Sequence, residues 1–444
     1  MESGDLQVIS DMENFVIQGG APLSGEITPA GNKNAALPIL AACLLTEEEV
    51  VIHNVPRIRD TEALLTLLER LGVDVAWLAD NSVRLRADAV TDTTVDEETA
   101  SRIRASFLLA GPLLARFGEA RMPPPGGDFI GRRRIDPHLD AFRDMGALIR
   151  GDRWLDISAP DGALRPCGIF MDEPSVMATE NALMAAALTE GPTTIANAAC
   201  EPHVQDLARL LVKMGATIDG IGSNVMTVHG RDKLGGAEHR IRPDHIEVAS
   251  FMALAAATKG ELRVRDAEPN DLIMIRRQFR RLGLQSMVEG RDVMVPPEQA
   301  LEVKDDLGDA IPKIDDGPWP AFPADLTSIA LALATQARGT VLIFEKMFEN
   351  RLFFVDKLVA MGARITLCDP HRAIVSGPSR LHGERVDSPD IRAGMAMLIA
   401  ALAADGASEI GNVTQIDRGY ERIDLRLRDL GARIERVSVE PVPV

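Results

Sequence analysis

LLVKMGATI, residues 210–218, joins the end of an amphipathic helix to a glycine and then to the start of a strand. The same pattern returns as LLERLGVDV, FRDMGALI, RRLGLQSMV, LVAMGARIT and RDLGARIERV, so that the glycines fall at 72, 146, 215, 283, 362 and 431. A spacing of about 70 residues held six times marks one supersecondary unit repeated along the whole chain. Glycine at that point predicts a left-handed cap that ends each helix.

Ahead of each capped helix stands a second, more apolar one: NAALPILAACLL, IRASFLLAGPLLA, TENALMAAALTEG, EVASFMALAAATKG, DLTSIALALATQARG and IRAGMAMLIAALAADG. Helices apolar on most faces are expected to be buried. Between the two helices lie β-branched runs such as EEVVIHNV, PTTIANA, GELRVRDA and GTVLIFEK, so the unit reads helix, strand, helix, strand, with further strand at its end. The fold class is therefore α/β. Six units exceed one ordinary core, which predicts two domains of three repeats divided near Arg240 to Asp244. Pro296 to Trp319 reads as a proline-bearing acidic insertion carrying one strand.

The 444 residues are 46% hydrophobic and carry a net charge of −18, a balance that suits a soluble protein and disfavours nucleic acid or an anionic membrane as partner. An anionic ligand would then need a local basic pocket. Cys43, Cys167, Cys200 and Cys368 have no paired spacing, so neither a disulfide framework nor a zinc knuckle is indicated, and a reducing cytoplasm fits. Apolar runs such as Ala35 to Leu45 are too short to span a bilayer. The acidic start MESGDLQVISDMENF is read as neither signal nor transit peptide, with Met12 as an alternative start.

Aligning the repeats collects charge at two equivalent places. Lys33, Arg104, Glu180, Glu247, Asp325 and Arg392 stand where the first helix of a unit begins; Arg133, Arg351 and Arg418 stand where the second begins. A single arginine there reads as a surface charge. Several at equivalent positions point to one anion-binding cleft between two domains, because helix N-termini present unpaired N–H groups and a positive dipole end. RMPPPGGDFIGRRRIDPH, residues 121–138, is the candidate active-site loop: its prolines exclude regular structure, and Gly126 and Gly127 let Asp128 be displayed on a mobile turn beside arginines. His138 reads equally as a substrate contact and as a structural histidine. P-loop, HExxH, GxSxG and GxGxxG fingerprints are absent, which removes the usual signatures of nucleotide hydrolysis, zinc hydrolysis and dinucleotide redox chemistry.

GEITPAGNKNAALPILAA, PGGDFIGRRRIDPH, AFPADLTS, FENRLFFVDKLVAMGA, DIRAG and IDRGYERID, in that order between about Met12 and Arg436, closely resemble the UDP-N-acetylglucosamine enolpyruvyl transferase family. The resemblance implies a two-domain inside-out α/β barrel with three repeats per domain, domain I comprising 12–32 and 243–437 and domain II comprising 33–242 with the active-site loop. It implies transfer of the enolpyruvyl group of phosphoenolpyruvate to the 3-hydroxyl of UDP-N-acetylglucosamine with release of phosphate, the first committed step of bacterial peptidoglycan synthesis. No cofactor, metal, nucleic acid or membrane is implied, and both substrates are small molecules. By matching position, Lys33, Asn34, Arg133, Arg392 and Arg418 are expected around phosphoenolpyruvate, and Lys33, Asp128 and Asp325 are expected to be the catalytic residues. Asn34, Arg104, Arg133, Asp136, His138, Ser175, Val176, Asp325 and Phe348 are expected around the nucleotide, with Asp136 near the base, Ser175 and Val176 at the diphosphate, and Asp325 taking the proton of the 3-hydroxyl. Arg351 and Asp390 are further members of the cleft.

Three positions depart from the family pattern. Asp128 replaces the cysteine that most members carry, which acts as an acid toward the substrate methylene or in product release and is the target of fosfomycin. Leu108 stands where some members carry a tryptophan, and Glu173 replaces a lysine before the diphosphate turn. Shikimate 3-phosphate or another uridine nucleotide as acceptor, and a non-catalytic sugar-nucleotide sensor, remain the alternative readings.

Overall fold

In the computed structural model, which describes residues 12–439, every repeat becomes an inner and an outer helix against a small sheet. Residues 1–11, on which the reading of the acidic start rests, lie outside the described residues. The helix pairs are α1 (Lys33–Ala41) and α2 (Arg59–Arg70), α3 (Ala110–Phe117) and α4 (Asp136–Asp144), and α5 (Val176–Ala187) and α6 (Pro202–Lys213) in the first half. The second half has α7 (His245–Ala257) and α8 (Ile273–Arg281), α9 (Thr327–Ala334) and α10 (Val355–Ala360), and α11 (Ile391–Ala403) and α12 (Ile423–Asp429).

The apolar helices are the inner ones. All thirteen residues of α7 are buried, so its sequence has no polar stripe to offer water. In α2, by contrast, Leu64, Leu65, Leu67 and Leu68 face inward while Arg59, Glu69 and Arg70 are exposed. The six anchor glycines all have positive φ, between 87° and 117°. After α6, Ala216 donates its N–H back to the Leu211 carbonyl, and after α10 Ala363 donates to Leu358 in the same way. This six-to-one bond closes the helix end only when the residue between adopts the left-handed conformation.

Five four-stranded sheets and one of three strands wrap the inner helices. Met12–Gln18 lies between Ala407–Gly411 and Arg433–Val439, antiparallel to both, with Phe15 opposite Ile410 and Arg436. Gly25–Ile27 pairs with Leu262–Val264. The N-terminal strands are therefore part of the second half's sheets, and Phe15, Ile17, Leu23 and Ile27 pack into a core that otherwise runs from Ile246 to Ile434. A separate core spans Ala35 to Ile241, closed by Ala237–Arg240 against Val50–His53. The expected insertion carries Lys313–Asp315, which pairs parallel to Gly339–Phe344.

Two adjacent crossings join the cores. Asn32 N–H donates to the Arg242 carbonyl at 2.8 Å and Asp244 N–H donates to the Ala30 carbonyl at 2.9 Å. Glu247 fixes this crossing, accepting from Ala30 N–H at 2.7 Å and pairing with Arg426. Among the described residues, no helix is long and apolar enough to cross a membrane.

Candidate active site

The starts of the inner helices converge on a cavity of about 260 Å³ between the two cores. Asn32 caps α1 by accepting from Ala35 N–H, Ser175 caps α5 by accepting from Ala178 N–H, and Asp390 caps α11 by accepting from Arg392 and Ala393 N–H. Lys33 and Asn34 therefore open α1 at the cleft, Val176 opens α5, and Arg392 stands second in α11. Six cations, Lys33, Arg104, Arg133, Arg351, Arg392 and Arg418, line one cavity of a chain whose net charge is −18.

Two carboxylates organise most of them. Asp60, the second residue of α2, takes Lys33 Nζ at 2.9 Å and Arg418 Nε at 2.9 Å. Burial raises its pKa, but the charges of Lys33 and Arg418 outweigh that and hold it below the usual carboxylate range. Asp325 receives Arg351 Nη2 at 2.9 Å on one oxygen and Arg392 Nη2 at 2.9 Å on the other. Burial is again outweighed, chiefly by Arg392 and Arg351, so Asp325 is held firmly ionised. Behind this pair, Arg392 Nη1 donates to Tyr420 Oη at 3.3 Å, and Arg351 lies 4.0 Å from Asp390.

Arg104 and Arg133 have no carboxylate partner among the described residues. Arg104 Nη2 donates to the carbonyls of Arg133 and Arg134, which binds the loop to the first half's inner wall. Burial, with the neighbouring Arg133 charge, brings the Arg104 pKa down to about 10, and burial lowers that of Arg133 as well. Two desolvated guanidiniums without anions are prepared for an anionic ligand.

The sequence expectation of a displayed Asp128 is corrected by its contacts. Its side chain is turned inward onto Arg418, and only 15% of it is exposed. Gly126 passes so close to Ser101 that a Cβ would stand 1.8 Å from that carbonyl oxygen, and Gly127 takes a φ of 107°. The far side of the loop is docked on the second half, where Asn350 N–H donates to the Ile130 carbonyl at 3.0 Å and Arg132 N–H to Glu349 Oε2 at 3.1 Å. Opposite charge across the cleft draws the loop in, a force that chain periodicity does not reveal.

Of the residues expected at the site, Lys33, Asn34, Arg104, Asp128, Arg133, Val176, Asp325, Phe348, Arg351, Arg392 and Arg418 line the cavity. Ser175 and Asp390 stand just behind it as caps. Asp136 is exposed at the start of α4, 3.4 Å from Arg134 Nε, outside the cavity lining. His138 is buried against Phe107, its ring centroid 5.0 Å away. Asn181 Oδ1 accepts from Gly111 N–H, so the Asn181 amide donates to His138 Nδ1 and leaves the ring proton on Nε2. Burial and Arg104 bring the His138 pKa down to about 3, so the side chain is a neutral part of the core wall. Leu108 is buried on the cavity wall, and Glu173 is exposed.

Asp60, Glu201, His203 and His245 also line the cavity and were not singled out from the sequence. Asp60, Glu201 and His203 stand at or beside the starts of outer helices, the place where the repeat alignment had counted only arginines. Extending that alignment to acids and histidines would have found them. Of the charged residues at inner-helix starts, only Glu247 misses the cleft, because it serves the crossing.

A pair of three-repeat α/β domains closing a cationic cleft around an ionised acid defines the enolpyruvyl transferase class of fold. The chain belongs to the family described as EPSP synthase (3-phosphoshikimate 1-carboxyvinyltransferase), whose model matches residues 17–427. Within that breadth it is 56% identical over 423 residues to a UDP-N-acetylglucosamine 1-carboxyvinyltransferase of Bradyrhizobium diazoefficiens, covering 95% of this chain and 98% of the relative. A protein of the same name from Treponema denticola is 54% identical, with 96% and 99% covered. Among solved structures, the enolpyruvyl transferase NikO from Streptomyces tendae superposes with a TM-score of 0.85 at 25% identity, covering 97% of this chain and all of that one. EPSP synthase from Acinetobacter baumannii shares the fold, with a TM-score of 0.74 at 18% identity over 96% of this chain and all of that one.

Proposed function

We infer that the chain is a UDP-N-acetylglucosamine 1-carboxyvinyltransferase, moving the enolpyruvyl group of phosphoenolpyruvate to the 3-hydroxyl of the sugar nucleotide and releasing phosphate. High identity to so-named relatives over nearly the full length supports the acceptor. The observation that carries the chemistry is the convergence of six cations on one cavity that also holds Asp128 and Asp325. Fixed cations in a water-poor cleft neutralise a ligand with several negative charges and cost no reorganisation during reaction.

Lys33, Arg133 and Arg418 are assigned to the phosphate and carboxylate of phosphoenolpyruvate, with Arg392 beside them. Asp128, bound to Arg418 in the structure and lining the cavity, is assigned the acid role, beside an arginine that a phosphoenolpyruvate anion would share. Protonating the methylene carbon turns it into a methyl group and leaves C2 cationic. The 3-hydroxyl oxygen adds to C2 while Asp325 takes its proton, forming a tetrahedral ketal. Loss of a methyl proton and of phosphate restores the double bond on the sugar. Asn34, Asp325 and Phe348 are assigned to the sugar side, and Arg104, Asp136, Ser175 and Val176 to the nucleotide side.

The side chains and the two substrates suffice for these steps, so we propose a reaction without cofactor or metal. Work in the bacterial cytoplasm fits four free cysteines and the absence of an apolar spanning helix among the described residues. The test is phosphate release from phosphoenolpyruvate with UDP-N-acetylglucosamine, shikimate 3-phosphate or a different uridine nucleotide as acceptor. Release with the first alone is expected. Release only with another acceptor reassigns the substrate, and binding without release from any would make the protein a sensor.

A further inference from the structure

On one wall of the cleft, three polar atoms are sealed from water and have no hydrogen-bond partner among the described residues. They are Glu180 Oε1, Glu201 Oε2 and His203 Nδ1. Glu180 stands in the second turn of α5, is 1% exposed, lines the cavity and has no hydrogen bond to protein among the described residues. Glu201, just before α6, has its other oxygen 3.5 Å from Trp319 N–H of the second half. His203 is stacked on His245, with ring centroids 6.2 Å apart and planes 11° apart.

Unpartnered buried polar groups destabilise a protein, and three on one cavity wall are not a packing solution. They are expected where a ligand supplies the missing partners. Burial, with the Glu201 charge as the lesser cause, raises the Glu180 pKa well above the usual range, so its carboxyl is neutral and can both donate and accept. Burial likewise brings the His203 pKa down to about 3, leaving a neutral ring. Neutral Glu180 and His203 side chains that donate and accept do not suit phosphate, which the arginines of the cavity take. They suit alcohol and amide groups. The wall also neighbours Asp325 and its partner Arg392, whose charges act on both His203 and His245.

Resting on the proposed acceptor, we propose that Glu180, with His203 and Glu201 beside it, forms a subsite that hydrogen-bonds the uncharged hydroxyl and acetamido groups of the acceptor sugar next to the hydroxyl that Asp325 deprotonates. Glu180 is thus a specificity-determining residue rather than a structural one. The geometry separates the two roles, because a buried carboxyl with no protein partner among the described residues costs the fold stability, so that what its loss takes away falls on the ligand alone.

Glu180→Met keeps the volume and removes both oxygens; Glu180→Gln keeps a donor and an acceptor. Titration calorimetry of each with UDP-N-acetylglucosamine and with UDP alone reads the sugar contribution, and thermal melting reads the fold. Glu180→Met is expected to lose about tenfold or more in affinity for the sugar nucleotide, the size of one buried hydrogen-bonding group, with UDP affinity unchanged and Tm equal or higher. Glu180→Gln is expected to stay within about threefold of wild type for both ligands.

Sugar-nucleotide affinity unchanged in Glu180→Met, or equal losses for UDP and UDP-N-acetylglucosamine, overturns the subsite. So does a marked fall in Tm or failure to fold, since that makes Glu180 structural. Wild-type phosphate release with UDP-N-acetylglucosamine, run alongside, separates the two ideas. Its absence sinks the acceptor and this inference together, whereas an active wild type with an unaffected Glu180→Met sinks the subsite alone.

Discussion

Asp60 and Asp325 each hold two cations in the same cleft, yet the structure gives them different work. Asp60 binds Lys33 from its own half and Arg418 from the other, and only 6% of its side chain is exposed. Asp325 binds Arg351 and Arg392, both from its own half, and 27% of its side chain is exposed. A buried carboxylate surrounded by protein cations has no face left for a ligand, so Asp60 sets where Lys33 and Arg418 stand. A carboxylate with an open face can take a proton from a substrate. Burial, and not the number of partners, distinguishes scaffold from reagent here.

The largest expected effect breaks the reagent. Asp325→Asn should lower kcat by about 10² or more while UDP-N-acetylglucosamine affinity changes little, because the amide keeps size and loses proton acceptance. Steady-state kinetics with separate binding titrations checks it; near-normal turnover would remove Asp325 from the mechanism.

Asp60→Asn attacks the scaffold and should show the opposite profile. Leaving Lys33 and Arg418 in a desolvated site without their shared anion should cost about 3 kcal/mol of stability, and the KM for phosphoenolpyruvate should rise. Urea unfolding of both variants sharpens the contrast: a larger stability loss in Asp325→Asn than in Asp60→Asn would reverse the assignment.

Asp128 meets the scaffold at Arg418, and its carboxylate is a far weaker nucleophile toward an epoxide carbon than a thiolate. Mass spectrometry after incubation with fosfomycin and the sugar nucleotide should find no adduct on the wild type and a stoichiometric one on Asp128→Cys. An adduct on wild-type Asp128 would show that this residue is more nucleophilic than its pairing with Arg418 allows.

The smallest effect concerns what lies behind Asp325. Burial, reinforced by Asp316, pushes the Glu345 pKa up from 4.5 to about 8, and Glu345 Oε2 has no hydrogen-bond partner among the described residues. A folded pKa above the unfolded one stabilises fully below about pH 4.5, and that stability is lost as pH rises toward 8. Glu345→Gln cannot ionise, so it should gain about 1 kcal/mol or more relative to wild type between pH 4.5 and 8. Parallel curves for the two proteins would mean that Glu345 titrates normally. The neutral histidines work in the other direction. With folded pKa values of about 3, His138, His203 and His245 should cost the fold stability as pH falls below about 6.5, when the unfolded chain takes up protons that the buried rings refuse.

The six-fold repeat was legible in the sequence because its signals are local. A glycine after an amphipathic run fixes a helix end through one residue's dihedral angles, and apolar helices announce burial through composition alone. Cations near the repeat's helix starts were legible for the same reason, and Lys33, Arg104, Arg133, Arg351, Arg392 and Arg418 do meet in one cavity, although Arg418 closes a short helix, Thr414–Asp417, rather than opening one. The N-terminal strand's place in the second half came from family resemblance, since pairing Phe15 with Ile410 and Arg436 leaves no periodic mark. Asp60 was missed for a related reason: as an acid among expected cations, it reads as an ordinary first-turn helix residue.

By itself, then, the sequence determined the α/β class, the six units and their helix ends, and a set of cations placed to meet an anion. Each of these depends on residues within a turn or two of one another. Only the tertiary structure decided that Asp128 faces inward onto Arg418, that Asp60 locks while Asp325 stays open, and that Glu180 is buried without a partner among the described residues. These are properties of which desolvated groups face one another across two cores. Charge and burial at that range depend on packing between residues hundreds of positions apart, as with Asp60 and Arg418, and no local pattern carries that information.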